Sequence, residues 1–589
     1  MNLKISTLGI TFLGCIFILM ITTSVWYYSS KHVNTHHEQT PQHAPQAMRF
    51  NRLSSSDLDK LQQLFKQGDE EYDGGNVKNA ITYYRQALSR YPLIVEALIR
   101  LGKAYAKQDK HELAISEYKA ALSINPTDVE GYLLLSRSLR AQKKLSDALF
   151  IVRHALTLRP TLFSAHIELA KIFADQHDYD QALSAIEKAH QINPNNVYAH
   201  LMKGHILNWK GDIEGAIAMY KKATQLDPTL SNAHYNLGHT LKVYGKFNEA
   251  IESLNKAAAL NPHHVDTHVA LSHVYWALGD FDQAWQEYEW RWKQHKKDPR
   301  NKTIPEWQGE DIKGKTILLY SEQGFGDTLQ FIRFAQYMKQ QGATVWCKVQ
   351  KQLVTLLSLC PYIDHIINDN SNIRALDYQV ALMDMPGKLK LTPQTVPAPD
   401  QYLYADKQLS NVWRDKLSSD KNFKIGVCWH VDERHEIYKL PIQRRAFPVQ
   451  ALLPLAQDKH ISLYSLQLVD NAIRAEIPSE MNVHIFDHDF DKTRGSFMDS
   501  AAVITNLDLI ITADTAIAHL AAGLGKKVWM LLPYSPDCRW YLQTESSPWY
   551  PSMSIFRQSE AGNWKPVTDK ITTSLNNVPK LKAMRNQQS

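Results

Sequence analysis

The sequence predicts an α-solenoid followed by an α/β region of parallel sheets, with an uncharged apolar segment ahead of both. Three observations carry this. Prolines recur every 34 residues, at Pro92, Pro126, Pro160, Pro194, Pro228 and Pro262, without insertion or deletion. From Lys313 onward, short apolar runs alternate with amphipathic segments, the pattern of strands joined by crossover helices. Residues 5–30 carry no charge, and about 20 such residues cross a bilayer as a helix.

The apolar segment comes first. Phe12, Leu13 and Ile16 through Ile21 supply its hydrophobicity, and it ends in Trp26, Tyr27 and Tyr28, residues suited to a membrane interface. The expectation for 1–30 is a single transmembrane anchor. A cleaved signal peptide competes, but no small-x-small cleavage pattern follows the run. Lys4 on one side and Lys31 and Arg49 on the other leave the orientation near a tie. Residues 31–60 read as a polar linker. Its His32, His36, His37 and His43 are a candidate metal tract or a solvated tether.

The 34-residue period is that of tetratricopeptide helix–turn–helix repeats. Each unit places a small residue twelve and five positions before its proline, from Ala80 and Ala87 to Ala250 and Ala257. Leu101, Gly102 and Tyr105, or Leu237, Gly238 and Leu241, share one face of the first helix of a unit. Stacking merges such faces into one core. Seven units are expected over 61–298, the last reaching Tyr288, Trp290, Arg291 and Trp292 where a proline is due. His166, His200, His234 and His268 occupy one column, read as packing positions. The segment holds 28 Lys and Arg against 27 Asp and Glu, so it offers no basic field for nucleic acid. The expected partner is a protein, a peptide or a second copy. Lys296, Lys297, Arg300 and Lys302 read as a solvated hinge beyond the array.

The α/β region is expected to form two Rossmann-like halves, 313–400 and 401–570, divided by the proline-rich stretch 386–399 and followed by a polar basic tail, 571–589. Strands are expected at Ile317–Tyr320, Thr344–Val349, Tyr378–Met383, Lys424–Trp429, Ile461–Leu466, Val483–Phe486, Leu507–Thr512 and Lys527–Leu532. Helices are expected at Asp327–Gln341, Pro448–Gln457, Phe497–Asn506 and Ala516–Leu524.

Two strand ends carry chemistry. The first strand runs into Ser321-Glu322-Gln323-Gly324-Phe325-Gly326-Asp327, a glycine turn at a helix start that lets a ligand approach the backbone. A dinucleotide fingerprint wants a third glycine where Leu329 stands, which disfavours nicotinamide and flavin. Asp327 reads equally as a helix cap or a catalytic carboxylate. In the second half, a buried strand ends in Asp514, with Thr515 and Ala516 opening a helix and His519 one turn on. Free N–H groups there suit a diphosphate. Asp487-His488-Asp489 is a runner-up metal clasp that also fits a solvated loop.

The runs Glu322 to Phe331, Asp514 to Ala521, Trp529 to Pro533, Asp537 to Trp540, Ser547 to Pro551 and Phe556 to Gln558 occur in one order. With them the chain resembles bacterial tetratricopeptide proteins that carry a heptosyltransferase-like, family-nine-like glycosyltransferase domain. The resemblance implies a GT-B fold, Asp327 as general base, and a donor site of Gly324, Gly326, Asp514, Thr515, Ala516 and His519. It implies a nucleotide sugar as donor substrate and neither a cofactor nor an obligatory metal. Arg445 of Arg445-Ala446-Phe447-Pro448 stands where the family has a phosphate-neutralising lysine; the charge is kept and its geometry altered. The stretch 431–439 is more acidic than that family's diphosphate-facing loops. The array also resembles that of the nucleocytoplasmic O-linked N-acetylglucosamine transferases, but only Asn236 matches their inner asparagine column; Arg100, Leu134, Glu168, Met202 and Ala270 stand elsewhere.

The expectation is a membrane-anchored glycosyltransferase passing a sugar to a protein acceptor docked by the repeats. A repeat scaffold with a degenerate transferase domain, or a transferase acting on a glycolipid, are the alternatives. Cys15, Cys347, Cys360, Cys428 and Cys538 form neither a disulfide framework nor a zinc spacing. The expected setting is the bacterial inner membrane with the bulk of the chain cytoplasmic, where nucleotide sugars are made; a periplasmic placement competes.

Overall fold

A computed structural model describes residues 54–293, 300–301, 303–367, 376–431, 444–468, 471–541 and 544–586. The apolar run at 5–30, the histidine tract and most of the acidic stretch lie outside them. Among the described residues no helix is long and apolar enough to cross a membrane. The chain divides into two compact units, Met1–Pro228 and Thr229–Ser589.

The first unit contains α1 (Ser55–Asp73), α2 (Val77–Arg90), α3 (Val95–Lys107), α4 (His111–Ile124), α5 (Val129–Ala141), α6 (Leu145–Leu158), α7 (Phe163–Asp175), α8 (Tyr179–Ile192), α9 (Val197–Lys210) and α10 (Ile213–Leu226). These pair as helical hairpins. α1 starts inside the segment expected as linker because Ser54 caps it, its hydroxyl accepting from Asp57 N at 3.2 Å. The periodic prolines end the second helix of each pair by acting on the residue before them. Tyr91, Asn125, Arg159 and Asn193 leave helical geometry at φ −134°, −124°, −142° and −141°, as steric conflict with a following proline ring demands. The repeated alanines are fully buried at the helix crossings. Gly102 shows why small residues are needed there, since a Cβ would lie 2.4 Å from Tyr118 Cε1 of the partner helix.

The second unit opens with two more hairpins, α11 (Ser231–Val243), α12 (Phe247–Leu260), α13 (Val265–Leu278) and α14 (Phe281–Tyr288), and a 3-10 turn, Glu289–Lys293. Two sheets follow. One is wholly parallel, ordered β3-β2-β1-β4, from β1 (Thr316–Tyr320), β2 (Thr344–Lys348), β3 (His365–Ile367) and β4 (Tyr378–Ala381). The other is ordered β10-β11-β9-β8-β5-β6-β7, from β5 (Phe423–Cys428), β6 (Ile461–Ser465), β7 (Val483–His484), β8 (Leu509–Thr512), β9 (Val528–Leu532), β10 (Ser546–Ser547) and β11 (Tyr550–Arg557). Only its β10–β11 pair is antiparallel. β8 and β9 are buried along their whole length, as parallel strands covered on both faces must be.

The expected helix at 327–341 is two, α15 (Phe325–Phe331) and α16 (Arg333–Gln340), broken at Ile332. Pro448–Gln457 is a 3-10 turn, Val449–Leu452, and one helical turn, Leu453–Ala456. Met498–Thr505 and Ala516–Gly523 are α17 and α18. The segment expected as a tail instead continues a helix, Lys565–Asn576, and adds Pro579–Asn586; Ile571, Leu575 and Leu581 are buried against the second sheet. Their spacing at one and two to three turns is an apolar stripe that the surrounding Lys and Asn conceal.

Candidate functional site

Both chemical motifs sit where strand order reverses. In the first sheet β1 lies between β2 and β4; in the second β5 and β8 are neighbours with β6 and β9 outside them. Open parallel sheets bind ligands beyond the carboxyl ends of strands at such points. β1 leads to α15, and β8 leads through Asp514 to α18.

α15 and α18 approach closely. Gly326 is the point of contact, and a Cβ there would lie 3.0 Å from His519 Cδ2 and 3.8 Å from the Ala516 Cα. Asp327 caps its helix, its Oδ2 accepting from Gly324 N at 3.1 Å. Its Oδ1 accepts from Arg539 Nη1 at 2.7 Å. The same nitrogen donates to Gln330 Oε1 at 2.9 Å, while Arg539 Nε donates to Asp537 Oδ1 at 3.0 Å. Cap and charged centre are therefore one residue.

Asp514 and His519 are buried, with Nε2 3.8 Å from Oδ1, an ion-pair separation longer than a direct hydrogen bond. Burial raises the Asp514 pKa, but His519, Arg445 and Arg539 outweigh it and hold the carboxyl below its ordinary value. Burial pushes His519 down despite Asp514. His519 Nδ1 meets the Tyr550 hydroxyl at 2.8 Å. Behind it Tyr402 donates to Leu329 O at 2.8 Å, and Arg333 donates to Tyr402 at 3.1 Å. The Thr515 hydroxyl turns to Thr512 at 3.2 Å and Cys428 Sγ at 3.7 Å. α18 is thus left without a side-chain cap; Ala518 N donates to Thr515 O at 3.1 Å, and the N–H groups of Ala516 and Ile517 are left for an anion.

Asp327, Gly326, Asp514, Ala516 and His519 are brought together; Gly324 and Thr515 hold the two turns. Arg445 faces a neighbouring cavity of about 470 Å³ together with Asp537, Tyr541 and Arg557. Arg539, Tyr550 and Arg333 were missed as site residues. Arg539 and Tyr550 lie within the quoted runs, but nothing local distinguishes an arginine that reaches across 212 residues to Asp327. Asp487, His488 and Asp489 are exposed. Among the described residues no group of three or more His, Cys, Asp or Glu side chains is placed to hold a metal.

Models of the tetratricopeptide repeat match residues 65–129, 163–196, 204–242 and 231–264. Protein FlbA of Caulobacter vibrioides is 25% identical over 323 residues, covering 50% of this chain and 52% of that protein. The chain thus spans about half the length of the curated relative it matches. Among solved structures, a thermophilic TPR protein of Thermus thermophilus is 22% identical, covering 31% of this chain and 98% of that one with a TM-score of 0.28. A tetratricopeptide repeat protein of Parabacteroides merdae is 16% identical, covering 42% and 95% with a TM-score of 0.35. The chain carries tetratricopeptide repeats, a scaffold for protein interactions, ahead of a region with parallel sheets.

Proposed function

We propose that the α/β region is a GT-B-type, heptosyltransferase-like glycosyltransferase that takes a sugar from a nucleotide donor and passes it to a protein hydroxyl presented by the repeats. The supporting observation is the convergence of Asp327, Asp514 and His519 from the switch points of the two sheets, with Arg539 of the turn after β9 bonded to Asp327. The acceptor oxygen bonds to the anomeric carbon as the bond from that carbon to the diphosphate oxygen breaks, and the acceptor proton passes to Asp327. Charge on the departing diphosphate is met by Arg445 and the uncapped start of α18. Arg539 occupies Asp327 Oδ1 in this state, so acceptor entry must displace that contact. The scheme needs no metal. The apolar run at 5–30 would anchor the enzyme at the bacterial inner membrane, the bulk facing the cytoplasm.

A repeat scaffold with an inactive transferase region is the second reading, favoured by both Asp327 oxygens being already engaged. Thermal unfolding of the full chain with a panel of nucleoside diphosphates separates the two. A ligand at about 100 times its dissociation constant adds roughly 2.7 kcal/mol. The transferase reading expects stabilisation by one nucleotide, abolished in Arg445→Ala and Asp514→Ala. No shift with any nucleotide would leave the scaffold.

A further inference from the structure

We propose that the repeats supply part of the donor site itself: Lys242, from α11, binds the diphosphate of a nucleoside diphosphate in the cavity it shares with Arg445 and Arg557. The assignment rests on the transferase reading for what carries the diphosphate, and on the cavity alone for the anion.

The cavity, of about 470 Å³, falls within the usual range for a small-molecule site. Three of its lining side chains are cationic and one, Asp537, is anionic. Asp537 is already bound to Arg539 at 3.0 Å. Among the described residues the Lys242 ammonium makes no hydrogen bond or salt bridge, and Asp537 and Cys538 act on it only at longer range. The side chain is partly buried, and burial pushes its pKa below the ordinary lysine value although Cys538 and Asp537 act the other way. His273, from α13, lines the same wall and makes no hydrogen bond among the described residues; burial pushes it down to about 3. It therefore adds no repulsive charge at neutral pH.

Drawing a lysine partly out of water in a cavity that two arginines also line costs free energy that an added anion can return. Nothing in the repeat fold requires a lysine there, since the positions one repeat apart hold Ala106, Arg140, Ala174, Asn208 and Trp276. The walls also suit the rest of the ligand. Tyr244 and Tyr534 both line the cavity, their tilted rings 6.5 Å apart between centroids, and offer an aromatic surface to a base.

Isothermal titration of the full-length protein with inorganic pyrophosphate and with each nucleoside diphosphate tests this. The expected result is binding that weakens about tenfold or more in Lys242→Met, the scale of losing one charged hydrogen bond. Lys242→Arg should recover most of the affinity, and Lys256→Ala, exposed on α12 and outside the cavity lining, should leave it unchanged. Binding in Lys242→Met equal to the unaltered protein would overturn the inference and leave the transferase reading standing. No binding of pyrophosphate or any nucleotide by the unaltered protein would overturn both. A measurement on the unaltered protein alone guards against misfolded variants: pyrophosphate should protect Lys242 from reductive methylation, read by mass spectrometry, and equal labelling with and without it would overturn the inference.

Discussion

His166, His200 and His268 are buried, and each places Nε2 2.9–3.0 Å from the carbonyl of the proline six residues earlier. Tyr132, at the same repeat position, donates its hydroxyl to Pro126 O at 3.2 Å. The column was legible as packing, and its second role was not. A proline that ends a helix exposes a carbonyl that a long polar ring on the next helix can reach, whereas Leu98, in the same column of the first unit, cannot bond it. Replacing His166 with Phe leaves that carbonyl unpaired and is expected to cost about 1 kcal/mol. His166→Tyr should retain most of the stability, because Tyr132 shows that a phenol fits. Urea unfolding of both variants checks the order.

Arg291 lies in the 3-10 turn after α14, yet its guanidinium bonds Glu322 at 2.7 Å and Asp384 at 2.7 Å. Glu322 belongs to the loop leaving β1, five residues before Asp327. The last repeat therefore holds the loop that starts the candidate site. Two carboxylates share one buried cation, and burial raises Glu322 to about 7. Arg291→Met strands both carboxylates and is expected to destabilise the second unit by about 3–5 kcal/mol. Glu322→Gln in the same background should restore part of the loss, measured by denaturant midpoint. At this scale eight strands were readable from apolar runs bounded by turn residues. β3, β10 and β11 were not; in β11 the second residue, Pro551, argues locally against a strand, and β11 pairs with β9 only from Met553.

Across the second unit, partly buried titratable groups act in opposite senses with pH. Burial pushes His239 and His273 down to about 3. Between that value and the ordinary histidine pKa the unfolded chain binds more protons, so their contribution is complete above about 6.5 and is lost as pH falls toward 3. Glu322 and Glu306, raised to about 7 mainly by burial, bind more protons folded. Their effect lowers stability as pH rises from about 4.5 to 7. In His273→Gln the unfolding free energy should therefore rise less steeply between pH 4 and 6, by up to one proton. An unchanged slope would show that His273 titrates normally. Calorimetry of the full chain should resolve two transitions for the two compact units, with Arg291→Met lowering only one of them.

The sequence by itself determined the periodic solenoid and eight of the eleven described strands, because both follow from short-range physics: a proline that cannot extend a helix, alanines that let helices touch, and apolar runs of strand length. It also marked Asp327 and Asp514, since each follows a buried strand. Only the tertiary structure decided what those carboxylates meet. Arg539 reaches Asp327, Gly326 receives His519, Arg291 ties the repeats to the β1 loop, and Lys242 turns a repeat helix toward the cavity. Each joins residues far apart in the chain, and charge pairing between distant segments leaves no local pattern to read.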